Sequence, residues 1–79
     1  MEEKIKELTL LLLYLTSWTE KDPFGDEINR AWKGYDFDIL NSLEKEKLIG
    51  GSTYKAKSTY LTDRGIDKAK DLMKKYNID

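Results

Sequence analysis

The chain has 79 residues, no cysteine and no histidine, and fourteen basic side chains against fifteen acidic ones. That composition excludes disulfides, thiolate metal sites and histidine-based proton transfer, so any catalysis would rest on Asp, Glu, Lys, Ser or Tyr. A net charge of −1 gives no overall attraction for a polyanion, and a domain of this size buries only about 60 to 65% of its unfolded surface, so a partner subunit has stability to add.

Charge is unevenly spread. Residues 1–29 hold three basic and seven acidic groups, residues 30–61 six and four, and residues 62–79 five and four. The run "LTLLLLYL" falls short of the ~20 apolar residues that span a bilayer. It follows Glu2, Glu3 and Glu7 instead of the basic start of a signal peptide, so a cytoplasmic protein with no membrane partner is expected. Abundant Lys and Glu with no Cys point towards a thermophilic source.

In chain order, Ile5, Leu8, Leu11, Leu12, Leu15 and Trp18 recur at i, i+3, i+4 spacing and predict an amphipathic helix from Glu3 to Trp18. Leu10, Leu13 and Tyr14 project from its other side. They would be covered either by the rest of the domain or by a second subunit, and are the candidate dimer interface. "TEKDPFGDE" reads as a turn ending that helix before Pro23. Asp26 is a candidate cap for a short second helix, with Ile28, Ala31 and Trp32 inward and Gly34 closing it. Asp36 is the expected N-cap of a third helix running to about Lys47, with Ile39, Leu40 and Leu43 inward and Asp38, Asn41, Ser42 and Lys45 outward. "KLIGG" stops it. A two-stranded hairpin follows, near Leu48–Thr53 and Lys57–Leu61. Thr62 caps a last helix whose stripe is Ile66, Ala69, Leu72, Met73 and Tyr76.

The stretches "LEKEKLI" and "YLTDRGIDKAKDLM", separated by a short hairpin, resemble the segment of MarR-like and PadR-like regulators in which a recognition helix leads through a wing into a last helix. The resemblance to the winged helix-turn-helix superfamily covers about Gly34 to Met73. The whole chain is similar to a family of small uncharacterised prokaryotic proteins with the hallmark "RAWKGYDFDILN". The resemblance implies one α+β, mostly α, winged helix-turn-helix domain over residues 1–79: three helices, a two-stranded β-hairpin wing and a C-terminal helix. It makes Asp36 to Lys47 a recognition helix, Tyr54 to Lys57 the wing tip, and the first and last helices a homodimer interface.

Double-stranded DNA is then the expected partner, and a transcriptional regulator or accessory factor the expected role. Arg30 and Lys33 on the second helix and its turn, Lys45 at the end of the third and Lys55 and Lys57 on the wing would meet phosphates, Asn41 could read adenine, and Ser42 could bond either. Asp38 opposes this, because an acid on the reading face repels phosphate. The alternative is an interaction module for another protein, driven by the surplus leucines of the first helix. No enzyme is expected: Asp36 and Asp38, two apart on a helix, do not face each other, and no phosphate-cradling loop occurs.

Overall fold

The computed structural model describes residues 1–51 and 57–78. Its elements are α1 (Glu2–Leu15), β1 (Trp18–Lys21), β2 (Glu27–Trp32), α2 (Phe37–Lys45), β3 (Ile49–Gly50), β4 (Ser58–Leu61) and α3 (Asp63–Lys75). The strands form one antiparallel sheet in the order β1-β2-β4-β3. The helices cover one face of it, closing over Ala31, Ile49, Thr59 and Leu61.

The class is mixed α+β, as expected, but residues expected to be the second helix are a strand. Glu27–Trp32 sits between β1 and β4 and pairs with both. Ile28, Ala31 and Trp32 fit a helical face, but the same segment alternates: Ala31 is fully buried while its neighbour Trp32 is 64% exposed. Pairing on both edges satisfies the backbone of β2 without a helix. Asp26 therefore caps nothing and closes a hairpin instead. The Asp22 carboxylate accepts from the backbone N–H groups of Phe24 and Asp26, both at 2.9 Å, and Gly25 supplies the left-handed φ of +87°. No helix-turn-helix forms across residues 26–47, and β3 and β4 are half of a four-stranded sheet, not a free two-stranded wing. The wing residues Tyr54 and Lys55 lie outside the described residues.

Two of the three expected caps are present. Asp36 accepts from the N–H groups of Asp38 and Ile39 at 2.9 and 3.2 Å, fixing the start of α2. Thr62 accepts from the N–H of Gly65 at 3.0 Å and donates to the Lys47 carbonyl at 2.6 Å, tying the start of α3 to the end of α2. Gly65 has a packing reason: a Cβ there would collide with the backbone carbonyl of Leu48.

α1 ends at Leu15, earlier than expected. The hydroxyls of Thr16 and Ser17 donate to the carbonyls of Leu12 and Tyr14, both at 2.6 Å, and the chain turns so that Trp18 opens β1. The helix is also rotated relative to expectation. Leu10 and Leu13 are 1% and 0% exposed in the chain's own core, with Tyr14 packed against it, so they are not a surface for a second subunit. Ile5, Leu8, Leu12 and Leu15, expected inside, are each about two-fifths exposed; Leu11 alone of the helical residues in that set is buried.

Charged side chains beside the buried leucines find partners on the other helices. Lys6 reaches across to Glu46 beyond the end of α2 and donates to Ser42 Oγ at 3.3 Å. Glu7 accepts from Lys75 Nζ at 2.9 Å and from the Tyr76 hydroxyl at 2.7 Å, joining α1 to the end of α3. These bonds hold the Glu7 carboxyl below its ordinary range, and Glu7 in turn raises the Tyr76 phenol and the Lys75 ammonium.

Candidate nucleic-acid interface

Strand alternation and register decide which side chains share the uncovered face of the sheet. On β2, Asn29 and Ala31 turn towards the helices, leaving Ile28, Arg30 and Trp32 on the open side. Arg30 is paired with Trp18 of β1 and with Tyr60 of β4, and Tyr60 is paired with Gly50 of β3. One row across the sheet is thus Trp18, Arg30, Tyr60 and Gly50. Trp32 stands beside that row, its ring 5.0 Å from that of Trp18 and tilted by 45°.

The glycine pair is part of this surface. Tyr60 lies over Gly50 and Gly51, and any Cβ on Gly50 would occupy the space of the Tyr60 ring and hydroxyl. The "GG" that reads in sequence as a stop signal therefore also makes a flat bed for an aromatic ring.

Arg30 occupies the centre of the face. Its Nε meets the Glu20 carboxylate at 2.8 Å and its Nη1 donates to Ser58 Oγ at 3.4 Å, so the guanidinium is held across the strands. Just past Trp32, the Lys33 N–H donates to the Lys57 carbonyl at 3.2 Å, which extends the pairing of β2 and β4 by one position. The open side of the sheet therefore combines three aromatic rings with Arg30, and Glu20 is the acid paired with it.

The expected DNA-contacting residues are split into two groups. Arg30 is on the sheet, with Lys33 and Lys57 next to its strands; Asn41, Ser42 and Lys45 lie on α2, and Lys55 is outside the described residues. The α2 group lines a shallow depression together with Asp38 and Glu44, so two carboxylates accompany one ammonium. Asn41 and Ser42 are half-buried, and Ser42 is engaged by Lys6. Trp18 and Tyr60 were not legible as site residues. A period-two reading of Ile28-x-Arg30-x-Trp32 would have exposed the β2 side, but only the register adds the two rings.

Among the described residues no group of acids could hold a metal ion, and no helix is long and apolar enough to cross a membrane. The chain matches, over residues 1–79, a family described as a domain of unknown function (DUF6429). It is also similar to the uncharacterized protein y4hR of Sinorhizobium fredii (strain NBRC 101917 / NGR234), with 34% identity over 74 residues, covering 94% of this chain and 89% of that protein. No solved structure matches it.

Proposed function

This chain belongs to the DUF6429 family, and we propose that it is a cytoplasmic accessory protein that binds single-stranded nucleic acid on the open face of its sheet. The observation that carries the reading is the set Trp18, Trp32 and Tyr60 around Arg30. Unstacked bases bind such a surface through their π-faces, each stack contributing about 1–3 kcal/mol, while nearby cations meet the backbone. Aromatic rings on a sheet face suit the π-faces that unpaired bases expose and a duplex keeps stacked. The helix that would enter a duplex groove, α2, presents Asp38 and Glu44 beside Lys45. Single strands therefore fit better than the duplex expected from sequence. The order α2, β3, β4, α3 still supports a distant relation to winged-helix domains in the second half of the chain.

Both tryptophans of the chain are on this face, so tryptophan emission, excited beyond the tyrosine band, reports on it. Titration with a single-stranded oligonucleotide of about ten nucleotides at low salt should quench the signal. The affinity should fall with salt with a shallow slope of about −0.7, because Arg30 is the cation placed on the face. Trp32→Ala should weaken binding by about tenfold or more, measured by anisotropy of a labelled strand, and Asn41→Ala by less than about twofold. An unquenched titration, or equal affinity for duplex and single strand, defeats the proposal. The second reading, an interaction module for protein without nucleic acid, is favoured by the exposed leucines of α1. It predicts association that barely responds to salt.

A further inference from the structure

The exposed apolar side chains of α1 form one line. Ile5, Leu8, Leu12 and Leu15 are separated by three, four and three residues, and Met1, 90% exposed, continues the line at its start. This is the a/d spacing of two heptads, the pattern with which one helix packs lengthwise on another. The line lies on the side of α1 turned away from Leu10 and Leu13, so it is additional to the helix's core face.

We infer that this line is a homodimer seam on which the α1 helices of two copies pack antiparallel. Three observations select a second copy as the occupant. No charged side chain interrupts the stripe, so the same surface is compatible with itself under a two-fold axis. The surface left exposed is also too large: a 9.3 kDa chain should present about 5,000 Å², whereas this one presents 5650 Å². The surplus of about 650 Å² belongs to the whole chain, with Phe24, Trp32 and Phe37 contributing beside Ile5, Leu8, Leu12 and Leu15, and it is of the order of the ~800 Å² that each partner buries in a standard interface.

The third observation sets the direction. The first turn of α1 carries Glu2 and Glu3 and its last turn carries no base. A parallel pair would bring both acidic pairs and both positive helix ends together, whereas an antiparallel pair separates the acids by the length of the helix, about 21 Å, and opposes the dipoles. In that arrangement Leu8 of one copy meets Leu12 of the other, and Ile5 meets Leu15.

The seam does not depend on the nucleic-acid reading, because its residues and those of the sheet face are separate. Sedimentation of the whole chain between about 1 µM and 1 mM tests it. Wild type should move from the mass of one chain towards twice that mass, and Leu8→Glu with Leu12→Glu should stay monomeric with an unchanged helical spectrum, since both sites are solvent-exposed. A wild-type monomer throughout, or a dimer that survives the double substitution, overturns the seam. If the double variant unfolds, the cross-linking result decides. The chain has no cysteine, so an equimolar mixture of Leu8→Cys and Leu12→Cys proteins can be oxidised cleanly. The antiparallel seam yields mainly the mixed disulfide. Predominance of the two homodisulfides would mean parallel helices and overturn the orientation, and no cross-link at all would overturn the contact.

Discussion

The two faces of α1 carry nearly the same chemistry and meet opposite environments. One presents Leu10 and Leu13 to the core together with Lys6 and Glu7; the other presents Ile5, Leu8, Leu12 and Leu15 to solvent without a single charge. The face that looks more soluble is the one the fold buries. Cross-helix geometry permits this: Lys6 and Glu7 hold partners at the ends of α2 and α3, so their charges are satisfied beside the buried Leu10 and Leu13. A charge on an amphipathic helix marks the solvent face only when nothing across the helix can bind it.

That contrast can be broken most severely by moving a charge. Leu10→Glu should leave the chain largely unfolded by circular dichroism, because an unpaired buried carboxylate costs several kcal/mol against a total stability of about 5–15. Leu8→Glu, two residues away and on the opposite side of the helix, should fold. A folded Leu10→Glu protein would mean that the core and seam faces have been exchanged. The same contrast is sharpened by truncation. Leu13→Ala should lose about 2–5 kcal/mol in urea denaturation, as expected for a cavity in a packed core. Leu12→Ala should stay within about 0.5 kcal/mol when measured on dilute monomer. Similar losses at both sites would show that the seam is buried within one chain.

What was legible in the sequence is what depends on near neighbours. Asp36 and Thr62 were readable as caps because a cap bonds to backbone two or three residues away. The turn at "DPFGDE" was readable from Asp, Pro and Gly, though not as the tip of a hairpin. β2 was missed because six residues can satisfy a helical and an alternating pattern together, and only pairing with β1 and β4 separates them. The rotation of α1 was missed because the partners of Lys6 and Glu7 are 40 and 68 residues away. The candidate site divides in the same way. Its cation, Arg30, stands out as a residue type; its rings, Trp18 and Tyr60, join Arg30 only through the register of three strands. For the same reason Asn41 and Lys45, plausible as neighbours of that cation on a helix-turn-helix, are left apart from it.

The smallest expected effect tests the polar side of the contrast through pH. In the folded chain Glu7 is held below its ordinary pKa of 4.5 by the bonds from Lys75 and Tyr76, while Tyr76 is raised above 10.0 and Lys75 above 10.5, chiefly by their bonds to Glu7. A lowered carboxyl contributes stability that is full above its unfolded pKa and is lost as pH falls through the folded one. A raised phenol or ammonium contributes stability that is full below its unfolded pKa and is lost as pH rises through the folded one. The clamp between α1 and α3 should therefore be at full strength between about pH 5 and pH 9 and weaken at both ends. Glu7→Gln should lower the Tm modestly at neutral pH, and the difference from wild type should shrink on acidification below the ordinary carboxylate range. Lys75 is mostly solvent-exposed, so the neutral-pH difference should also shrink in high salt. A constant difference across pH and salt would assign Glu7 a packing role alone, and the inward turn of Leu10 and Leu13 would then have to be explained by their own burial, without help from the charges beside them.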